Sequence, residues 1–432
     1  MSIQKVCIVG VGYVGLTLGV ILADKGFQVT GFDTNKEIVG QLKQGKSHFF
    51  EKGLTAMLKK HVGKNFHVTS EIPDEKFDAF VISVGTPFDT KGEKPIVDYL
   101  INGTKQVINM LTDDALVIIR STVPLGGTRS IVKPLLDETG KRYSLAFCPE
   151  RTAEGAALRE LVELPQIIGG LDNKSVEKAF SLFRKITPTI VEVESLEAAE
   201  MVKLINNSFR DLNFAFANEI ALICEKLKLN PFKTIAAANL GYPRSNVPKP
   251  GLTGGTCLKK DPYILSDFAM RNGYDVKLIS AGRKLNEYIP HHIANIVKEH
   301  LKNSDKTPAE RKIFITGFAF KGNPENDDVR DSLTLDLVEK LKSFDFKNIS
   351  GHDFVVNDNQ LKELNVKPCS IEEGFNQADC VIIANNHKSY SNLDIENLVL
   401  KMNKKSLVID CWHNFDPEIF KKNERIRWWC WY

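Results

Sequence analysis

Two short segments of this chain concentrate residues able to attack carbon or to cradle a phosphate. The first is Gly254-Gly255-Thr256-Cys257-Leu258-Lys259-Lys260-Asp261-Pro262. Its glycines leave room for a substrate to approach the Cys257 thiol, and Lys259 and Lys260 favour the thiolate, the nucleophilic form. Cys7, Cys224 and Cys380 instead sit in or beside apolar runs and read as buried filler. The second segment, Gly10-Val11-Gly12-Tyr13-Val14-Gly15, is G-x-G-x-x-G directly after an apolar run and at the start of a helical pattern. Such glycines allow a tight turn and close approach of backbone to a pyrophosphate, which then rests on the helix N-terminus. Asp33 follows Gly15 by 18 residues at the end of the next apolar run. A carboxylate there binds the ribose hydroxyls of NAD and repels the 2′-phosphate of NADP. Val84-Gly85-Thr86-Pro87 and Ser121-Thr122-Val123-Pro124 end two further runs with hydroxyls. Either alone reads as a turn or cap; beside the fingerprint, both point to a ligand at one sheet edge.

Elements must hold these groups. Residues 6–9, 28–32, 80–84, 116–119 and 145–147 are short apolar runs, separated by segments of helical spacing such as 16–25 and 101–111. Strands alternating with helices give a parallel sheet covered on both faces, a doubly wound α/β domain. From about Ser195 the texture changes. Residues 197–227 carry no Pro or Gly, and Met201, Leu204, Ile205, Phe209, Leu212, Phe216, Ile220 and Cys224 recur at helical spacing. A helix of that length spans about 45 Å and bridges domains or forms a dimer spine. A Gly/Pro-rich stretch, 241–255, and more helical patterns to about 301 follow, then a polar linker at 302–312. Strand-like runs at 313–316, 348–351, 381–384 and 406–410, with a helical segment at 333–341, form a second, smaller α/β domain. The expected architecture is two doubly wound Rossmann-like domains joined by a central helical segment. Its parts are 1–194 for NAD, 195–302 for the helices and Cys257, and 311–432 for the second α/β domain.

Composition narrows the class. At about 150 residues per domain, 432 residues suggest two or three domains. Apolar residues at 43% and charged residues at 26% exclude a disordered chain. Lys+Arg 57 against Asp+Glu 54 is too balanced to argue for a nucleic-acid groove or a membrane surface. Eight cysteines without a C-x-x-C pair exclude a disulfide scaffold and a zinc ribbon, and suit a reducing compartment. Neither a signal-peptide pattern nor a run of 18 uncharged apolar residues occurs. A cytoplasmic enzyme without a bound metal is expected.

The blocks named so far, with Cys148-Pro149-Glu150-Arg151, Glu154-Gly155, Lys203 through Asn207 and Gly317-Phe318-Ala319-Phe320-Lys321, resemble the UDP-glucose/GDP-mannose dehydrogenase family along nearly the whole chain. The resemblance implies oxidation of the C6 hydroxymethyl of a nucleotide sugar to a carboxylate, with two NAD reduced. Cys257 would capture the aldehyde as a thiohemiacetal, which a second oxidation turns into a thioester for water to cleave. Lys203 would assist proton transfer or stabilise the oxyanion, with Asn207 one turn further on. Asp261 and Thr122 would hold the water, and Glu150 would serve as base in the hydrolysis; the alternative for Asp261, just before Pro262, is a turn or helix cap. The cofactor would meet Gly10, Gly12, Tyr13, Val14, Gly15, Asp33, Thr86 and Thr122, with Glu154, Lys260 and Arg330 completing its site. Arg151, Lys203, Asn207, Arg210, Gly254, Phe320 and Lys321 would contact the UDP-sugar, which the resemblance assigns to the domain at 311–432. Arg244 resembles an arginine that enters the site from a partner subunit, which implies a homodimer.

The sugar is read from conflicting residues. Asn207-Ser208-Phe209-Arg210-Asp211, the Cys-Pro-Glu-Arg block and Asp327-Asp328-Val329-Arg330-Asp331-Ser332 resemble members acting on UDP-N-acetylmannosamine or UDP-N-acetylglucosamine. Thr256 departs from the histidine usual before the cysteine in those members, and Lys260 resembles the UDP-glucose type, which stays the alternative. More distant rivals are a two-electron hydroxyacid dehydrogenase, which needs no Cys257, and an NAD-binding scaffold. The ending Arg427-Trp428-Trp429-Cys430-Trp431-Tyr432 is an edge strand packed on the core or a subunit contact.

Overall fold

β-Branched and aromatic side chains crowd the short runs of the N-terminal half, and they fit a pleated, buried surface. In the computed structural model, which describes residues 3–89, 94–302, 306–420, 423 and 425–431, these runs are strands. They are β1 (Lys5–Val9), β2 (Gln28–Phe32), β3 (Phe66–Thr69), β4 (Ala79–Ile82) and, as a small hairpin, β5 (Phe88–Asp89) and β6 (Lys94–Pro95). β7 (Ala115–Ile119), β8 (Tyr143–Phe147), β9 (Gln166–Gly170) and β10 (Ile190–Val193) follow. Met1, Ser2, residues 303–305 of the expected linker and Tyr432 lie outside the described residues.

The chain divides into two units, Met1–Asn206 with Tyr263–Asp275 and Asn207–Pro262 with Val276–Tyr432. In the first, eight strands form one sheet in the order β10-β9-β8-β7-β4-β1-β2-β3. Side chains of each strand alternate between two cores. Val6 and Ile8 pack with Leu16 and Leu18 of the Tyr13–Asp24 helix, whereas Cys7 and Val9 pack with Leu100 and Val107 of the Asp98–Met110 helix. Strand order reverses about β1, whose neighbours are β2 and β4, and at such a switch the loops leaving the strands open a crevice.

Two details correct the sequence reading. The sheet is mixed, because β9 runs antiparallel to β8 through Ala146↔Gly170 and Phe147↔Gly169, and β10 follows β9 in parallel. Ser83 and Val84, read as strand, lie beyond β4 in the loop.

The second unit repeats the plan. β11 (Ile313–Thr316), β12 (Ile349–His352), β13 (Lys367–Pro368), β14 (Cys380–Ile383), β15 (Ser406–Asp410) and β16 (Ile426–Trp429) form a wholly parallel sheet, ordered β13-β12-β11-β14-β15-β16. The likeness to the first unit extends to backbone detail. Gly10, at φ +90°, donates its N–H to Phe32 at 2.8 Å, and Gly317, at φ +89°, donates to His352 at 2.9 Å. Asp33 and Asp353, each just past its strand, accept backbone N–H groups of the respective glycine loop.

A 32-residue helix, Leu196–Leu227, occupies the Gly- and Pro-free stretch. Helices Pro231–Asn239, Thr256–Arg271 and Leu278–Leu301 follow it. Trp428 and Trp429 lie in edge strand β16, one of the two alternatives for this ending. Trp429 and Trp431 are buried, and Trp428 stacks on Phe420 with ring centres 4.0 Å apart.

Candidate active site

In the first unit the three fingerprint glycines have three separate reasons. Gly10 takes a left-handed backbone, where a side chain is strained. A Cβ on Gly15 would lie 1.9 Å from the Gly10 carbonyl oxygen, so the helix can approach the strand only without one. A Cβ on Gly12 would meet no atom within 4 Å, which leaves space outside the turn. No side chain caps the Tyr13–Asp24 helix and no acidic residue occupies its first turn, so its N–H groups favour an anion. Asp33 lies beside this loop, its Oδ2 accepting the Val11 N–H at 2.9 Å. The residues fit a dinucleotide: a phosphate cradle at the helix end and a carboxylate for the ribose. Tyr13 turns its hydroxyl to buried Glu51, which also accepts the N–H groups of Gly155 at 2.7 Å and Ala157 at 3.0 Å. Glu154 thus stands in a loop tied to the fingerprint helix.

The two hydroxyl-bearing strand ends meet. β4 and β7 pair in parallel, and the buried Thr86 hydroxyl donates to the Thr122 carbonyl at 2.5 Å. Beyond β8, Glu150 is buried and its carboxylate is fully occupied. Oε2 accepts Arg120 Nε at 3.0 Å and Nη2 at 2.6 Å, and Oε1 accepts the N–H groups of Arg151 and Thr152, both at 2.8 Å. Burial pushes this carboxyl up, but Arg120 beside it and the backbone donors outweigh burial and hold it below the ordinary glutamate value. Four donors fill a carboxylate's lone pairs, so this geometry does not suit the expected hydrolytic base. What Glu150 offers is its carbonyl oxygen, which accepts buried Lys203 Nζ at 2.7 Å. Arg151 is partly buried and donates to the Pro165 carbonyl.

In the second unit Cys257 is exposed and is the second residue of the Thr256–Arg271 helix. Lys260 Nζ lies 2.5 Å from Asp261 Oδ1. Burial would lower the Lys260 pKa; Asp261 and Cys257 nearby reverse this and raise it, so Lys260 stays a cation next to the sulfur. Asp261 is fully buried inside the helix, neither a turn nor a cap, and its Oδ2 accepts Asn207 Nδ2 at 2.6 Å. Two expectations are corrected here. Lys259 is drawn to Asp336, at 3.1 Å, so its charge is shared with a carboxylate rather than given to the thiol. The glycines do not clear space either: a Cβ on Gly254 would strike the Asp331 carbonyl oxygen at 2.5 Å, and one on Gly255 the Phe320 ring at 2.6 Å. They let the cysteine segment pack against Phe320 and Asp331, whose carbonyl accepts the Gly255 N–H at 2.9 Å.

Lys321 Nζ sits 5.2 Å from the centre of the Phe320 ring. Arg330 is exposed and paired with Asp328 in its own turn, at 2.6 Å. Arg210 is exposed, and exposed Arg244 lies over the Tyr242 ring.

With this geometry in view, comparison with known proteins decides the family. The NAD binding domain of the UDP-glucose/GDP-mannose dehydrogenase family matches residues 4–187, the central domain residues 197–288, and the UDP binding domain residues 314–417. The chain belongs to this family. UDP-glucose/GDP-mannose dehydrogenases are oxidoreductases that use NAD, and membership makes this chain an NAD-dependent enzyme of UDP-sugars. It is 34% identical to the UDP-N-acetyl-D-mannosamine dehydrogenase of Campylobacter jejuni, over 92% of this chain and 98% of that one. Among solved structures it resembles the UDP-D-ManNAc dehydrogenase of Pyrococcus horikoshii, with TM-score 0.88 and 31% identity over 98% of this chain and 99% of that one. A UDP-glucose dehydrogenase of Pyrobaculum islandicum gives TM-score 0.87 and 26% identity over 99% and 97%.

Three supporting residues of this UDP-glucose/GDP-mannose dehydrogenase escaped the sequence reading. Glu51 and Arg120 are two. The third is buried Arg283, whose Nη1 reaches Asp211 at 2.6 Å and the carbonyl of Leu258, next to Cys257, at 3.1 Å. A buried charge signals itself only through its partner, and the partners named here lie 25 or more positions away in sequence.

Proposed function

We propose that this protein oxidises the C6 hydroxymethyl of UDP-N-acetylmannosamine to the carboxylate, with Cys257 as nucleophile. The observation that carries the reading is one exposed cysteine at a helix start, with a lysine cation nearby and a buried Asp261, bonded to Asn207, on the same helix, in a relative of UDP-N-acetyl-D-mannosamine dehydrogenases over 92% of the chain. NAD would supply the hydride acceptor, one molecule for each of the two oxidations at C6. The fingerprint residues Gly10 to Gly15, with Asp33, Thr86, Thr122 and Glu154, hold it, and Lys260 and Arg330 complete its surroundings. The Cys257 thiolate forms a C–S bond to the C6 aldehyde while the carbonyl oxygen takes a proton with help from Lys203. After the second oxidation the adduct is a thioester. Water held by Asp261 and Thr122 attacks it, the C–S bond breaks and the thiolate returns. One hydroxymethyl and one water thus give a carboxylate, two hydrides and three protons.

Arg151, Asn207, Arg210, Gly254, Phe320 and Lys321 bind or shape the substrate site. The division at 1–194, 195–302 and 311–432 assigns cofactor, cysteine and UDP-sugar to successive parts. Phe209, Phe216, Ile223 and Leu227 are exposed along one helix, three of them seven residues apart, which supports a homodimer that brings Arg244 to the partner's site. Eight free thiols suit the cytoplasm. UDP-glucose is the second reading, favoured by Lys260 and by the Pyrobaculum islandicum structure.

The test is NADH formed per UDP-sugar under excess NAD. Two NADH with UDP-N-acetylmannosamine, and little turnover of UDP-N-acetylglucosamine or UDP-glucose, is expected. Two NADH with UDP-glucose alone would transfer the function to the second reading; one NADH per turnover would remove Cys257 from the mechanism.

A further inference from the structure

Arg120 directly precedes the Ser121-Thr122-Val123-Pro124 turn, is 2% exposed, and has so far been given only its contact with Glu150. Its guanidinium is spent entirely inside the first unit. Nε and Nη2 hold Glu150 Oε2, and Nη1 reaches the Cys148 carbonyl at 3.1 Å and Gln166 Oε1 at 3.0 Å. The other Glu150 oxygen folds back to accept the N–H of Arg151. That N–H and the Glu150 carbonyl belong to one peptide group, and a peptide is planar. Gripping the N–H therefore fixes the direction of the carbonyl, which is the oxygen that holds Lys203 Nζ at 2.7 Å.

We propose that Arg120 is a positioning residue for Lys203: through the Glu150 carboxylate and the Glu150–Arg151 peptide it sets where the lysine ammonium stands. This rests on the role given above to Lys203. It recasts Glu150 as the middle of a relay of contacts, a part that its saturated carboxylate suits. Arginine is required because its planar fork engages one oxygen twice while a third nitrogen anchors on Cys148, just past β8, and on Gln166 of β9; a lysine ammonium offers no such fork.

The test uses the full chain with two variants. Arg120→Lys keeps the charge and loses the fork. The double variant Arg120→Met/Glu150→Met replaces the buried pair with apolar side chains of similar size, an exchange that such pairs often tolerate. Trace acetylation with acetic anhydride, read by peptide mass spectrometry, reports on the Lys203 amine without requiring turnover, and Lys178 serves as internal reference. Both variants should change Lys203 labelling severalfold and leave Lys178 unchanged. With UDP-sugar, Arg120→Lys should lower kcat about tenfold or more without moving KM for NAD, as misplacement of a reacting group does. In a Lys203→Ala background the same substitution should add nothing. Unchanged Lys203 labelling in a folded variant, an equal kcat loss in both backgrounds, or failure of the double variant to fold would each overturn the proposal. If no UDP-sugar is turned over by the unaltered protein, the functional reading fails, while the labelling still decides the part played by Arg120.

Discussion

Cys257 differs from the other thiols by environment rather than by chemistry. Burial pushes the Cys148 thiol up to about 12 and those of Cys7 and Cys380 further, so none of these offers a thiolate near neutral pH. Cys257 is exposed, stands at the positive end of a helix and has the Lys260 cation nearby. Cys257→Ala should therefore lower acid formation at least about a thousandfold, on the order of 4 kcal/mol in barrier, with little change in melting temperature. The measurement is NADH release together with a thermal melt. A variant that still yields two NADH per sugar would exclude covalent catalysis at this position. That Cys257 was the informative cysteine could be read from its neighbours in sequence. That Lys259 turns to Asp336 could not, because the carboxylate that claims it is 77 residues away.

The first turns of the Leu196–Leu227 helix hold the loop that follows the Thr122 turn. Glu197 pairs with Arg129 at 2.6 Å, and Glu200 accepts the N–H groups of Gly126 at 2.5 Å and Thr128 at 2.9 Å. Burial outweighs those donors and pushes Glu200 up to about 7. A folded-state value above the unfolded one means that the native protein binds this proton more tightly. The stabilisation is complete below about pH 4.3 and is lost as pH rises through about 7, a change on the order of 3 kcal/mol. Glu200→Gln removes this proton from the balance, so its stability should fall less than that of the unaltered protein between about pH 5 and about pH 8. Urea midpoints across that range measure it, and parallel curves for the two proteins would refute the assignment. At this same scale the long helix was plain from its unbroken periodicity. β10 was missed because it is an edge strand: Val191 and Glu192 are exposed, and its composition lacks the run of apolar residues that marks β1 or β7.

For the whole molecule the proposed dimer makes a sharp prediction. If Arg244 serves the partner's site, Arg244→Ala and Cys257→Ala proteins are each inactive, and mixing them with subunit exchange restores activity. A mixed dimer joins an intact Cys257 in one protomer to an intact Arg244 from the other, so half its sites work. With random exchange, recovery should reach about a quarter of the unaltered activity. Light scattering verifies the dimer; no recovery in an exchanging dimer would place Arg244 in its own protomer's site or outside both.

The alternation of the main buried strands with helices, the long helix, the G-x-G-x-x-G segment with Asp33 and the Cys257 segment were legible in the sequence alone. Each rests on spacing within a few residues, where steric rules for turns, helices and strands act directly. Tertiary structure decided which polar groups are satisfied by which. Glu51 gathers Tyr13, Gly155 and Ala157; Arg120 saturates Glu150; Arg283 anchors the carbonyl beside Cys257. Buried hydrogen-bonding groups must find partners, but nothing in a local pattern states which distant residue will supply them. Only the closing of the sheets brings these pairs together.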